Sequence, residues 1–457
     1  MLKKFHIQMA IEDFDVFIIG SGIAGQTVAK ACAKNGYKVA IADKREFGGT
    51  CANRGCDPKK VLLGFTEILQ KADQLSGKGI SSLPKTDWRK IQSFKSSFTN
   101  PVPASTENKL TELGIKLYHQ PPKFLDENTL SVEGKTVKFE KAVIASGLKP
   151  RNLDIKGREH AGISDDFLNL EELPDSMVFI GAGYIGMEFA HIAARFGVEV
   201  TILEAGDRPL KSFDADMVSK LVARTEDLGI KMIFNARVTE IEDLRKNKRV
   251  HYQLGKSNKQ LKAELVFNTT GRVPSIDDLD LERGNIAYSD RGITVNEFLQ
   301  STTNKNVYAC GDVSDNAVPL TPFSGREGEI VVHNIENGNT IKAEFPDFPS
   351  VTFTIPNLAQ IGMSEEEAKK KFKNIKINCR DASSFFNAKR IDDPIYAYKT
   401  IVNKDDDQIL GVHLIGAEAA EVINLFAIAM SKNLTVSELK EVIFAYPTWG
   451  GDIRYMF

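Results

Sequence analysis

Residues 14–43 read FDVFIIGSGIAGQTVAKACAKNGYKVAIAD, and residues 177–204 read MVFIGAGYIGMEFAHIAARFGVEVTILE. Each begins with an apolar, β-rich run and turns through G-x-G-x-x-G (Gly20, Gly22, Gly25; Gly181, Gly183, Gly186). Each continues as an apolar helix and returns as a second strand that ends on an acid, Asp43 or Glu204, 23 positions after the first glycine. Gly36 and Gly197 follow the two helices, where a left-handed residue ends a helix. One such glycine pattern is weak evidence. Strand, glycine turn, helix, strand and acid in order, twice in one chain, form a dinucleotide fingerprint.

The physical reading is the same in both copies. The first glycine allows the tight turn and the second lets the backbone approach a pyrophosphate. The third lets the helix sit close to the sheet with its N-terminal dipole aimed at the phosphates. The acid accepts hydrogen bonds from a ribose 2′-OH. The alternative is a pair of buried strand–helix units with tight turns and no ligand.

Composition sets the bounds. The chain has 457 residues, 42% hydrophobic and 26% charged, which is the balance of an ordinary globular protein of about three domains. Lys and Arg total 59 against 61 Asp and Glu, a net charge of −2, so there is no basic excess to hold a nucleic-acid backbone. Five cysteines are too few and too odd in number for a disulfide framework, and they point to a reducing compartment. Lys3 and Lys4 precede no apolar run, so no signal peptide is expected. No stretch approaches the roughly 20 apolar residues of a spanning helix, and a cytoplasmic, soluble protein without membrane contact is expected.

Outside the two fingerprints, residues 61–120 read as helices with a Ser- and Pro-containing connection, and 124–145 and 231–271 as short strands. The tip EDLRKNKR reads as a solvated turn. From Phe345 onward the pattern becomes strand–helix–strand–helix, a separate C-terminal domain of α+β type. The whole is an α/β chain with two Rossmann-like dinucleotide-binding domains and a C-terminal domain.

Directly after the first acid-tipped strand comes GGTCANRGCDPKK, with four residues between Cys51 and Cys56 and Lys59 and Lys60 behind them. This spacing lets two sulfurs meet within one helical turn. A helix N-terminus and an ammonium both favour thiolate, so a redox pair beside a dinucleotide site is one reading. Buried small hydrophobes and half of a metal site are the alternatives. No second close cysteine pair or Cys/His cluster stands ready to complete a tetrahedral zinc site. Cys32, Cys310 and Cys379 are isolated and are assigned to packing.

With these motifs in hand, the sequence resembles the class I pyridine nucleotide–disulfide oxidoreductases, the family of lipoamide dehydrogenase, glutathione reductase and mercuric reductase. The resemblance runs in order after Phe14. It includes the glycines at 20–25, the cysteine block at 48–60, VIASG at 143–147 with serine for the family's threonine, and GAGYIGMEFA at 181–190. NTTGRVPS at 268–275, VYACGD at 307–312, LTP at 320–322 and the interface-domain stretch VTFTIPNLAQIGMSEEEA follow. It implies a homodimer with an active site shared between subunits and a small-molecule acceptor. The implied domains are 1–155 for FAD, 156–272 for NAD(P), 273–343 for the resumed FAD part, and 344–457 for dimerisation.

The resemblance also implies roles. FAD would lie on Gly20, Gly22, Gly25 and Asp43, with Gly49, Thr50, Lys60, Ser146, Gly147, Gly311, Asp312 and Thr321 around it. Asp312 would take the ribityl chain and Thr321 the ring. Cys56 would face the flavin, and Cys51 would meet substrate. Lys60 would pair with Glu188. NAD(P) would lie on Gly181, Gly183, Ile185, Gly186, Glu204 and Gly271, with Tyr184 as an aromatic gate. Glu204, followed by Ala205 and Gly206 rather than arginines, favours NADH; Arg208 and Lys211 are cations that soften the discrimination, so NADPH is not excluded.

At the C-terminal end the chain departs from the family. Most of its disulfide reductases carry His-Pro-Thr-x-x-Glu, whose imidazole shuttles protons to the thiols. This chain reads Tyr446-Pro447-Thr448-Trp449-Gly450-Gly451-Asp452. A phenol, titrating near 10 against about 6.5 for an imidazole, is a poor base at neutral pH. Tyr446 as a packing residue at a subunit contact is the competing reading. Mercury reduction is disfavoured because no cysteine follows Cys379, and a thioredoxin reductase because its C-terminal redox extension is lacking. A glutathione reductase is disfavoured because Val28 and Glu329 stand where arginines are expected. The expected activity is electron transfer from NAD(P)H through FAD and the Cys51–Cys56 redox disulfide to a disulfide-like or other soft acceptor. Direct reduction of a quinone or metal ion from the flavin, and a non-enzymatic redox sensor, are the alternatives.

Overall fold

In both glycine-rich stretches, the strand–turn–helix pattern folds as it reads. Glu12–Ile19, Ile23–Lys34 and Val39–Ala42 make the first unit, and Ser176–Ile180, Tyr184–Arg195 and Glu199–Leu203 the second. In each the two strands pair in parallel. Gly20 (φ +110°) and Gly181 (φ +103°) take the left-handed turn, and Gly36 (φ +90°) and Gly197 (φ +88°) end the helices. The computed structural model describes residues 11–457, so the reading of Lys3 and Lys4 lies outside the described residues.

The chain divides into two compact units. The first comprises residues 11–60, Ser93–Arg151 and Arg272–Glu344. Its seven-stranded sheet runs in the order Lys116–Tyr118, Val39–Ala42, Glu12–Ile19, Lys135–Ile144, Thr129–Val132, Lys123–Asp126. The late strand Val307–Ala309 pairs with the middle strand Lys135–Ile144. That pairing returns residues 310–312 to the ends of the parallel strands, where ligands bind in open α/β sheets. Phe14, Phe17 and Tyr118 pack together on the sheet, with Phe17 and Tyr118 stacked at 5.9 Å.

The second unit comprises Val61–Gln92, Asn152–Gly271 and Phe345–Phe457. It contains a four-stranded parallel sheet, a three-stranded antiparallel meander over 236–263, and a five-stranded antiparallel sheet built from 350–416. Phe167 stacks on Phe189 at 4.2 Å, and Phe179 on Phe267 at 5.5 Å, forming the aromatic centre of its core. Within this unit the buried Lys399 ammonium meets Asp214 (2.8 Å), Asp216 (2.6 Å) and Glu365 (3.0 Å). Burial works against its charge, and the three carboxylates outweigh that and push its pKa up. EDLRKNKR is the solvated turn expected, between Ala236–Asp243 and Lys248–Leu254. No helix among the described residues is long and apolar enough to cross a membrane.

The two later glycines of the second turn do different work. A Cβ at Gly186 would lie 2.2 Å from the Gly181 carbonyl oxygen and 2.8 Å from Thr269 Oγ1, whereas nothing lies within 4 Å of one at Gly183. Gly186→Ala is therefore expected to cost about 1–3 kcal/mol, read as a lower urea midpoint. Gly183→Ala is expected to leave that midpoint in place and weaken nucleotide binding instead, measured by calorimetry.

Candidate active site

The first glycine turn is held shut by the acid at the end of its second strand. Asp43 Oδ2 accepts from the Ser21 N–H (2.7 Å) and the Ser21 hydroxyl (2.6 Å), while Oδ1 accepts from the Arg45 N–H (2.9 Å). Ser21 Oγ also accepts from the Gly48 N–H at 3.2 Å. Gly48 and Gly49 both have positive φ, and a Cβ on Gly49 would lie 2.4 Å from Gly22 Cα. Glycine at position 49 permits this crossing, which lays the start of the cysteine block directly on the turn. Ser21 and Gly48 were not singled out from sequence; the serine between the first two glycines was the available signal.

The two cysteines do not share one helical turn. Cys51 lies in the short helix Gly49–Arg54, the backbone breaks at Gly55, and Cys56 opens the next helix, Cys56–Gln74. Beside both stands Thr321, the first residue of the helix Thr321–Asn337. Its hydroxyl donates to Cys51 Sγ at 3.4 Å and lies 3.8 Å from Cys56 Sγ. Thr321 was expected at a flavin ring; its place against both sulfurs is a product of the fold.

The expectation that a helix end and an ammonium make the pair thiolate-like holds for one sulfur only. Cys56 is drawn down to about 6, first by the hydrogen bond from the Cys51 thiol and further by Thr321 and the Lys59 ammonium; burial and Asp57 oppose this. Cys51 goes the other way: donating to Cys56 holds its proton on, and burial adds to it. Both thiols are free in the structure, Cys51 half-buried and Cys56 exposed. Cys32 and Cys310 are fully buried, as the packing assignment expects. Cys379 is exposed on the strand Ile375–Asp381, so for it that assignment is corrected: an outer strand of the sheet leaves its side chain in solvent.

Further along the same helix as Thr321, Ser324 reaches Asp312 Oδ1 at 3.4 Å and Glu327 accepts from the Gly311 N–H at 2.6 Å. Burial raises the Asp312 carboxyl above its ordinary value. Burial also pushes Glu327 up to about 7, with Asp312 adding to it. The stripe Thr321, Ser324, Glu327 thus faces both the thiols and the G-D turn. Ser146 Oγ is buried without a hydrogen-bond partner, and Gly147 (φ +64°) accepts from the Ser275 N–H at 2.9 Å. An unsatisfied hydroxyl in the segment matching VIASG, together with the glycine turn, fits a polar cofactor that supplies the missing bond.

In the second unit the other turn is closed in the same way. Glu204 Oε2 accepts from the Ala182 N–H (2.7 Å) and Oε1 from the Gly206 N–H (2.6 Å). Tyr184 opens the helix and is half-exposed, Ile185 follows it, and Gly271 stands at φ +123°. Arg208 donates to the Lys211 carbonyl (2.8 Å) and the Phe213 carbonyl (3.1 Å), so its guanidinium braces the loop. Lys211 stays close by: a Cβ on Gly206 would lie 2.7 Å from its Nζ. Glu188 is buried and its Oε1 accepts from the Phe353 N–H at 2.8 Å. One and two turns on, His191 Nδ1 accepts from the Ile355 N–H (3.2 Å) and Arg195 donates to the Ile355 carbonyl (2.8 Å). This face of Tyr184–Arg195 grips residues 353–355. Lys60 is exposed near the start of the cysteine helix.

The C-terminal turn keeps Tyr446 83% exposed. Thr448 Oγ1 donates to the Ala445 carbonyl (2.7 Å) and accepts from the Gly451 N–H (3.0 Å), and a Cβ on Gly451 would meet the Ala445 oxygen at 2.7 Å. Asp452 is turned inward, accepting from Asn387 (3.2 Å) and Tyr396 (3.4 Å). It therefore does not stand in for the carboxylate missing at Gly451. Val28 is fully buried, and Glu329 pairs with Arg326 at 2.7 Å. Neither supplies a cation.

Residues 14–328 match the family model for pyridine nucleotide-disulphide oxidoreductases, and 348–456 match the dimerisation domain of that family. The chain belongs to this family. It is an FAD- and pyridine-nucleotide-dependent oxidoreductase of the disulfide type, and its dimerisation domain supports a homodimer. It is 30% identical to the dihydrolipoyl dehydrogenase of Staphylococcus aureus over 452 residues, covering 97% of this chain and 96% of the relative. It is 29% identical to the glutathione reductase of Burkholderia cepacia, covering 95% of this chain and 96% of that one. Among solved structures, the Cu(II) complex of the HOCl-induced flavoprotein disulfide reductase RclA from Escherichia coli superposes with a TM-score of 0.87 at 28% identity, over 98% of this chain and 99% of that one.

The split between the thiols has a measurable consequence. A lowered thiol pKa means thiolate above that value and thiol below it. Alkylation of Cys56 by iodoacetamide in the reduced protein, followed peptide by peptide by mass spectrometry, is expected to titrate with a midpoint near 6. Thr321→Val is expected to move that midpoint upward.

Proposed function

We propose that this chain transfers electrons from NADH through FAD to a Cys51–Cys56 disulfide and from the resulting dithiol to a disulfide acceptor. The observation that carries this reading is the pair of thiols gathered at the Thr321 hydroxyl, at 3.4 and 3.8 Å, and set on the first glycine turn by the Gly49–Gly22 crossing, an arrangement that raises the pKa of Cys51 and lowers that of Cys56. A packing pair has no need of that asymmetry. Bound FAD supplies the acceptor for a hydride and passes the electron pair on.

In this reading FAD is held by Gly20, Gly22, Gly25, Asp43, Gly49, Thr50, Lys60, Ser146, Gly147, Gly311, Asp312 and Thr321, on segments 1–155 and 273–343. NADH is held by Gly181, Gly183, Tyr184, Ile185, Gly186, Glu204 and Gly271 within 156–272, and residues 344–457 form the dimer. Cys56 is the thiolate on the flavin side and Cys51 the thiol that meets the acceptor. Tyr446 stands where an imidazole would shuttle protons. Its turn supplies no carboxylate, which favours a second reading in which a quinone or metal ion takes electrons from the flavin directly.

Anaerobic NADH titration of the holoenzyme separates the two. The relay is expected to give a two-electron-reduced state with long-wavelength thiolate–flavin absorbance, and Cys51→Ser to abolish disulfide reduction. If Cys51→Ser keeps full acceptor activity, the relay is wrong. For the coenzyme, kcat/KM is expected to favour NADH over NADPH. Arg208→Ala is expected to leave the ratio unchanged because its guanidinium serves backbone carbonyls, while Lys211→Ala lowers NADPH use further.

A further inference from the structure

The strand Val307–Ala309 leaves the first sheet through Cys310, Gly311 and Asp312, and one side chain holds the point of departure. The Cys310 N–H still donates to the Ile144 carbonyl at 3.1 Å. The next N–H, that of Gly311, lies past the end of the ladder and donates instead to Glu327 Oε2 at 2.6 Å. Gly311 is left-handed there (φ +71°), and its carbonyl accepts from the Ser314 N–H at 3.1 Å. A Cβ on Gly311 would lie 3.1 Å from Ala24 Cβ and 3.4 Å from Ser324 Oγ, so the turn is enclosed by the helix of the first glycine motif and the helix Thr321–Asn337. Those two helices also touch one residue after Glu327: a Cβ on Gly328 would meet the Ala24 carbonyl oxygen and Thr27 Cβ at 3.0 Å each.

Glu327 thus stands at a junction of three segments, and it is only 2% exposed. Burial and the neighbouring Asp312 both oppose its ionisation, which is a cost an alanine or leucine in the same helix would avoid. What a glutamate adds is an oxygen that reaches the Gly311 N–H, a buried donor beyond the help of the sheet. The residue this turn aims is Asp312, whose other restraint from the helix is the longer contact of Oδ1 with the Ser324 hydroxyl, at 3.4 Å.

We propose that Glu327 is the positioning residue for Asp312, fixing the Gly311 turn from which Asp312 meets the ribityl chain of FAD and acting through that turn rather than on the cofactor. The proposal rests on the reading in which Asp312 holds FAD, and it names what holds Asp312. The role is one of reach rather than charge. A glutamine keeps an oxygen at the same distance along the side chain, a leucine has none, and an aspartate keeps the charge but withdraws the oxygen by one methylene.

The test is a double-mutant cycle read as FAD affinity of the full-length chain, by flavin fluorescence after the FAD is stripped and returned. Glu327→Leu is expected to weaken FAD binding by roughly tenfold or more, since a buried N–H loses its partner, and Glu327→Gln to stay within about threefold of the parent. Glu327→Asp is the second variant should the leucine fail to fold, with the same loss expected. Asp312→Asn is expected to weaken FAD binding on its own, and in that background Glu327→Leu or Glu327→Asp is expected to cost less than about threefold more. A full, additive loss in both backgrounds would show that Glu327 does not act through Asp312 and would overturn the positioning role while leaving the FAD site intact. A glutamine as damaging as the leucine would overturn it as well, because the charge would then be what matters. Unchanged FAD affinity in Asp312→Asn would overturn the reading of Asp312 and this inference with it.

Discussion

Each nucleotide fingerprint depends on one carboxylate that closes its own glycine turn. Asp43 and Glu204 bond the N–H between the first two glycines, at Ser21 and Ala182, and the N–H two residues beyond themselves, at Arg45 and Gly206. These acids read as ribose acceptors in the sequence. In the fold they also satisfy turn amides that no strand or helix could pair, so the turn is set before any nucleotide arrives. In the first copy the lock extends further, because Ser21 bonds both Asp43 and the Gly48 N–H. The cysteine block is thereby brought down onto Gly22, and the position of the thiols follows from the closure of the turn.

The chemistry of the thiols follows from that position. Two identical side chains acquire opposite proton affinities because, past the break at Gly55, both sulfurs come within reach of the Thr321 hydroxyl and Cys51 donates to Cys56. The helix that presents Thr321 also presents Ser324 to Asp312 and Glu327 to Gly311. Sulfurs and G-D turn therefore share one rigid support. In the second unit, the face bearing Glu188, His191 and Arg195 does comparable work by fastening residues 353–355 to the helix that opens with Tyr184.

Most of the architecture was legible because it is carried by local patterns. The strand, turn, helix and strand of both fingerprints, the left-handed Gly36 and Gly197, the charged turn at 243–248 and the strands after Phe345 all form where periodicity and glycine position put them. The misses are contacts between distant segments. Thr321 lies 270 residues from Cys51, and nothing near either announces that hydroxyl and sulfur will meet. Cys379 reads like Cys32 and Cys310 in a string of letters; only strand order shows that it lies on an outer strand while they lie inside. Asp452 lies one place beyond the family's glutamate position, and only the fold shows that it turns inward to Asn387 and Tyr396.

The sequence by itself determined the family, the order of the nucleotide folds and the paired cysteines, because glycine turns, acid-tipped strands and residue identity are local properties. The tertiary structure alone decided which thiol is lowered and which raised, which cation near Glu204 is already spent, and that the one carboxylate of the C-terminal turn faces inward. Those outcomes depend on hydrogen bonds and close approaches between segments far apart in the chain, where a shift of one ångström changes the partner and the residue names stay the same.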